Sequence, residues 1–204
     1  MLAEDVELGS ELTPSRQEEW RTFGDITADA FRNDPFNLWL FRKFAGIKAL
    51  FRHQARRIYL PRGFAYRLGD EGACMWAMPG TDTQFTFADY AIFAVPTLLT
   101  CGPGAVSRAI ATGEAMEKAH PDFPHAYLFS IGVRQASQGK GLGRKLIQPV
   151  LDACDRANMP AYLENSNPAN AGFYASCGFE QTGEIKPTDD APPLIPMVRQ
   201  PRRL

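Results

Sequence analysis

The sequence predicts an α/β (α+β) fold, a central sheet flanked by helices, on three observations. The chain has 204 residues, 45% of them hydrophobic and 22% charged, which is ordinary globular composition at a length that favours one domain over two. Its hydrophobic period changes from helical in residues 13–59 to a strand pair in residues 63–78. A strand, a glycine-rich loop and an amphipathic helix then follow one another through residues 127–157.

The elements are read in order. Residues 1–12 form a loose start with one short edge strand around Val6 to Leu8. Thr13-Pro14 reads as a helix start, a hydroxyl cap followed by proline at the first helical position. Trp20, Phe23, Ile26, Ala30 and Phe31 carry helix onward to Asn33, where Asp34-Pro35 breaks it. Leu38 to Tyr59 is a second helical stretch. Gly69-Asp70-Glu71-Gly72 turns a hairpin between 63–68 and 73–78. A helical insert fills 85–120, broken at Pro96 and at Gly102-Pro103-Gly104. Tyr127, Phe129, Ile131 and Val133 alternate with Leu128, Ser130 and Gly132, so the strand is apolar or small on both faces and is buried on both. Leu142, Leu146, Ile147, Val150, Leu151 and Cys154 form one helical stripe after the loop. Residues 161–165 are a short strand, 168–176 a short helix ended by Gly178, and strands near 179–185 and 194–199 complete the sheet.

Composition narrows the function classes. A formal net charge of −1 offers no basic field for nucleic acid or an anionic membrane. Cys74, Cys101, Cys154 and Cys177 are scattered, without a CxxC pair and without ligand spacing to His53, His120 or His125. No metal site is therefore expected, and the thiols are read as reduced. An acidic N-terminus and the lack of an apolar run of membrane-spanning length point to a cytoplasmic protein.

Gln138-Gly139-Lys140-Gly141-Leu142-Gly143-Arg144 is the most informative segment. Glycines permit positive φ and close approach, and successive amides at a helix N-terminus bind phosphate. The spacing excludes a P-loop, because no glycine stands five before a Gly-Lys followed by a hydroxyl residue. It also excludes the dinucleotide fingerprint, whose last glycine falls on Arg144 or Leu146. The pattern Q/R-x-x-G-x-G/A fits, with Gln138, Gly141 and Gly143. Together with Tyr162-Leu163-Glu164-Asn165-Ser166 and Asn167-Pro168-Ala169-Asn170-Ala171-Gly172-Phe173-Tyr174 through Gly178-Phe179, this stretch resembles the GNAT N-acetyltransferases. The nearest in motif are puromycin N-acetyltransferase and related bacterial small-molecule acetyltransferases. The likeness is specific from Ala126 to Phe179 and only general before that.

The resemblance implies a mixed, mostly antiparallel sheet whose splayed strand pair holds acyl-CoA. It implies a single domain over 1–204, with a cofactor-binding half at about 126–180 and the 85–120 insert on the acceptor side. Ile131, Gly132 and Val133 would pair with the pantetheine arm. The amides of Gly139, Lys140, Gly141, Leu142, Gly143 and Arg144, with Gln138 at the turn, would bind the pyrophosphate, and Lys140 or Arg144 would add charge. Tyr174 would protonate the departing thiolate. Glu164 would take or orient the substrate ammonium, with His120 and His125 as alternative bases. Asn167 and Asn170 would either contact pantetheine or cap the short helix.

Phe31, Phe36, Trp39, Phe85, Phe87, Tyr90 and Phe93 would line an acceptor pocket for an apolar or aromatic amine if they face the cleft. The expected activity is transfer of acetyl from acetyl-CoA to a small-molecule amine in a ternary complex. A protein or peptide amine as acceptor, or an acyl-CoA sensor without turnover, remain open. No nucleic-acid or membrane partner is expected. An exposed C-terminal strand edge would permit a homodimer, with Pro196 blunting it.

Overall fold

The computed structural model describes residues 1–202. A seven-stranded sheet, order β1-β2-β3-β4-β5-β7-β6, is built from β1 (Thr13–Pro14), β2 (Phe64–Leu68), β3 (Gly72–Ala77), β4 (Ala126–Val133), β5 (Ala161–Asn165), β6 (Glu180–Gln181) and β7 (Ile195–Arg199). Only β4 and β5 run parallel; the other neighbours are antiparallel. Helices α1 (Trp20–Ala30), α2 (Pro35–Phe41) and α3 (Phe44–Gln54) belong to one face, and α6 (Leu142–Arg156) and α7 (Ala171–Ser176) to the other. Between them in sequence, α4 (Phe87–Cys101) packs on α3, and α5 (Pro103–Ala119) packs on α4 and α2.

The sheet is covered on both sides, so every residue of β3 is buried. Tyr66, Leu68, Cys74 and Trp76 join the α6 core, while Ala65, Ala73, Met75 and Ala77 join the α1–α3 core. Gly132 lets α1 press onto β4: a Cβ there would lie 2.8 Å from Ala30 Cβ and 3.4 Å from Thr27 Cα. On the other face the Tyr66 hydroxyl donates to the Leu146 carbonyl at 2.6 Å.

Several local expectations change. Thr13-Pro14 is the edge strand, paired with Arg67 and Tyr66, and helix begins only after a 3₁₀ turn at 17–19. An edge is where proline's missing N–H is tolerated. Residues 1–12 contain a 3₁₀ turn at 3–5 rather than a strand, and they pack Val6 and Leu12 into the α6 core. Asp34-Pro35 ends one helix and starts the next, because Asp34 accepts from Asn37 N at 2.8 Å as an N-cap. Arg42, at φ 57°, divides 38–59 into two helices, and a π-helical turn at 55–59 ends the second. Pro96 lies within α4 instead of breaking it, since it sits on the exposed side where the freed carbonyl meets water. The break falls at Gly102, φ 83°. The C-terminal edge is β6, not β7, so Pro196 faces β5 on one side and lies beside β6 on the other.

Candidate active site

β4 and β5 pair only at Ala126↔Ala161 and Tyr127↔Tyr162, although each strand continues beyond. Past that point they diverge, and the β5-facing edge of the second half of β4 has no strand partner among the described residues. β4 also bulges. Met75 pairs with Ser130 and Trp76 with Leu128, which leaves Phe129 as the extra residue. The bulge reverses the parity of the strand. Tyr127 and Phe129 therefore face α1 and α3, while Ile131 and Val133 face α6. Simple alternation had put all four on one side.

Glu164 points to the α1–α3 face, two residues after Tyr162 and thus on the same side of β5. Its side chain is 3% exposed. Burial pushes its carboxyl up to about 7, opposed in part by the Tyr127 and Tyr162 hydroxyls. Neither hydroxyl closes a hydrogen bond of ordinary geometry, and Glu164 Oε1 and the Tyr162 hydroxyl are both buried without a partner. Ser130 Oγ is a third such atom on these two strands. Orphaned buried polar atoms are costly, so these three, on the two strands that diverge, are candidates to meet a ligand.

Around Glu164 the rings are continuous. Tyr59 stacks on Phe129 at 4.5 Å between centroids, Phe129 lies 6.3 Å from Phe51, and Phe51 lies 4.8 Å from Phe31. The Tyr162 ring is 5.9 Å from Tyr127. The aromatics of the insert are elsewhere. Phe85 and Phe93 pack on His53 of α3, Tyr90 packs on Phe85, and Phe87 is exposed. Phe36 is buried in the core, and Trp39 donates to Asp190 Oδ2 at 3.0 Å. Of the seven rings proposed for a pocket, only Phe31 belongs to the row that reaches Phe129.

Tyr174 belongs to the opposite core, with α6. It is 7% exposed, its ring 5.2 Å from Phe173 and 6.1 Å from Phe179. Burial first, then the Asp34 carboxylate and Cys177, hold its phenol well above the usual 10, so it stays protonated through neutral pH. Its hydroxyl makes no hydrogen bond among the described residues. The end of β5 is tied to α2 by Ser166 Oγ, which donates to Asp34 Oδ2 at 2.7 Å.

The glycine loop has the backbone that its composition implies. Gly139 and Gly141 have φ of 78° and 75°, and the amides of residues 139–143 find no acceptor among the described residues. Five such N–H groups at the start of α6 fit an anion. Gln138 Nε2 donates to the Val133 carbonyl at 3.1 Å, bracing the loop against β4. Lys140 Nζ lies 4.0 Å from Glu71 Oε1. The Arg144 side chain is engaged elsewhere: it donates to the Ser176 carbonyl at 3.0 Å and to Cys177 Sγ at 3.3 Å, at the C-terminal end of α7. Asn167 Oδ1 accepts from Ala169 N at 3.1 Å, a cap, while Asn170 is exposed.

His120 and His125, the alternative bases of the sequence reading, come together beside Glu164. His120 ends α5 and stacks edge-on against Tyr127 and Tyr162, both at 5.2 Å. Its Nδ1 lies 4.0 Å from Glu164 Oε1, and its Nε2 lies 3.1 Å from His125 Nε2. No local pattern announces this, because α5 and β5 meet only in the fold. Tyr162 did have a signal, its two-residue spacing from Glu164.

Comparison with known proteins agrees with this geometry. Residues 97–179 match the family model described as Acetyltransferase (GNAT) family. An uncharacterized N-acetyltransferase of Schizosaccharomyces pombe is 42% identical over 77 residues, 37% of this chain and 31% of that protein. The match thus spans about a third of that relative's length. An L-methionine sulfoximine/L-methionine sulfone acetyltransferase of Salmonella typhimurium is 29% identical over 119 residues, 55% of this chain and 68% of that protein. A crystal structure titled histone acetyltransferase HPA2 and related acetyltransferase, from Corynebacterium glutamicum, superposes with a TM-score of 0.66 at 25% identity, covering 95% of this chain and 97% of its own. Motif, relatives and fold agree: residues 97–179 match the GNAT acetyltransferase family, and the chain as a whole is similar in fold to a solved acetyltransferase.

Proposed function

We propose that the chain, acting as one domain, transfers acetyl from acetyl-CoA to the primary amine of a small molecule, by direct attack in a ternary complex. The observation that carries this is the split between β4 and β5, with a buried carboxyl of raised pKa on one face and a buried phenol of raised pKa on the other. Groups whose environments set them to opposite proton tasks are the mark of an acid–base pair.

The fit to acetyl-CoA rests on the chain's own groups. The five unpartnered amides of residues 139–143 would hold the pyrophosphate, and the open edge at Ile131, Gly132 and Val133 would accept the pantetheine as an added strand. When bound, acetyl-CoA supplies a thioester whose thiolate leaves as the amine attacks. Glu164, partly ionised at neutral pH, accepts the ammonium proton and so frees the amine lone pair. Tyr174 gives a proton to the leaving sulfur. Tyr59, Tyr127, Tyr162 and Phe129 exclude water around Glu164 and offer ring faces to an apolar or aromatic amine.

A second acceptor class, an amino acid's amine, is favoured by the methionine sulfoximine/sulfone acetyltransferase relative. Burial raises Glu164, and the Tyr127 and Tyr162 hydroxyls that oppose it carry no positive charge to meet an α-carboxylate. The test is thiol release from acetyl-CoA against a panel holding phenethylamine, methionine sulfone, a polyamine and a lysine peptide. Acetylation of phenethylamine above the rest is expected. Methionine sulfone as the best acceptor would establish the second class, and no turnover beside tight CoA binding would leave a sensor.

A further inference from the structure

Glu164 is sealed, so a proton it accepts must be removed before the next turnover. We propose that His120 takes this proton from Glu164 and hands it to solvent, with His125 fixing the ring that does so. This rests on Glu164 being the group that receives the amine proton.

The tautomers follow from the hydrogen bonds. His125 Nδ1 lies 2.8 Å from the Phe123 carbonyl, which can only accept, so Nδ1 carries the hydrogen and Nε2 is bare. His120 Nε2, 3.1 Å from that bare nitrogen, must then be the donor. This leaves the lone pair on His120 Nδ1, the atom that faces Glu164 Oε1 at 4.0 Å. Oε1 makes no hydrogen bond among the described residues and is reached by His120 only at that 4.0 Å approach. A carbonyl and two imidazoles thus form one directed chain that ends facing the carboxyl, in which the backbone sets the tautomer of the outer ring and the outer ring sets the inner one.

His120 also spans the boundary that Glu164 cannot cross. Its side chain is 39% exposed, against 3% for Glu164. In the step proposed, the substrate N–H bond breaks and a Glu164 O–H bond forms. That bond then breaks as a His120 Nδ1–H bond forms, and the resulting imidazolium loses a proton to a base of the medium. Burial and the neighbouring His125 lower the pKa of His120 from 6.5, while burial raises that of Glu164 to about 7. The proton therefore rests on Glu164, and His120, once charged, gives it up to solvent readily. The groups facing the pair are Tyr59 from the turn after α3, Tyr127 from β4, Tyr162 from β5 and His125.

Two measurements test the relay. Histidine-labelled NMR of the wild-type protein reads the tautomers without any substrate: His125 with its hydrogen on Nδ1 and His120 with its hydrogen on Nε2 are expected. The opposite tautomer at His120 overturns the relay. With acetyl-CoA and the best amine of the panel (phenethylamine as first probe), His120→Gln should lower kcat by about tenfold or more at unchanged KM, since a positioned proton carrier contributes on that order. Imidazole buffer should restore the rate, a rescue that a merely structural role would not allow. A variant indifferent to imidazole and as fast as wild type overturns the relay. Glu164→Gln separates the two ideas. If it is inactive while His120→Gln is fully active, only the relay falls. If it is active, the base reading falls as well.

Discussion

Glu164→Gln is expected to stabilise the protein at alkaline pH while removing its activity. The carboxyl titrates near 7 in the fold against an ordinary value of 4.5. A folded pKa raised above the unfolded one means that the native state holds more protons between pH 4.5 and 7, so stability is full below 4.5 and falls as pH rises through 7. At about 1.36 kcal/mol per tenfold change in proton affinity, the move from 4.5 to about 7 costs the wild type about 3 kcal/mol by pH 8.5. Glutamine keeps the shape of the protonated acid and does not titrate. Urea unfolding of both proteins at pH 4.5 and 8.5 isolates this group, since every other titration cancels in the difference. The variant should gain about 3 kcal/mol on the wild type between the two conditions. A difference that is the same at both pH values would show that Glu164 ionises as freely as in water, and the base reading would lose its physical ground.

Other perturbations have outcomes as definite. Gly132→Ala puts a methyl 2.8 Å from Ala30 Cβ, and overpacking of this kind should cost about 1–3 kcal/mol in urea unfolding. Gly141→Ala forces a side chain onto a φ of 75°, a strain of about 1–2 kcal/mol, so CoA affinity by calorimetry should fall several-fold with the amine KM unchanged. Asp155→Asn strands the buried Arg199 guanidinium, now held by two bonds of 2.8 and 2.7 Å, and should lower stability by about 3–5 kcal/mol.

What could be read from the chain was what is encoded locally. Gly139 and Gly141 declare their loop because positive φ has few other solutions, and the hairpin at 69–72 and the stripe of α6 declare themselves by period. Thr13-Pro14 misled because a hydroxyl before proline suits both a helix cap and a strand edge. Tyr127 to Val133 misled because a bulge at Phe129 leaves no trace in the alternation yet moves Ile131 and Val133 to the other face. Glu164 and Tyr174 were singled out through their motif. The setting that shifts their protons was not, because the burial of Glu164 against Tyr127 and the Asp34 carboxylate near Tyr174 come from elements far apart in sequence.

The most direct measurement is acetyl-CoA turnover by wild type, Glu164→Gln and Tyr174→Phe on the best amine, with CoA affinity recorded for each. Turnover lower by about 10²-fold or more in both variants, at wild-type CoA affinity, is expected of an acid and a base that act only in the transition state. Wild-type turnover in both would contradict their assignment across the split.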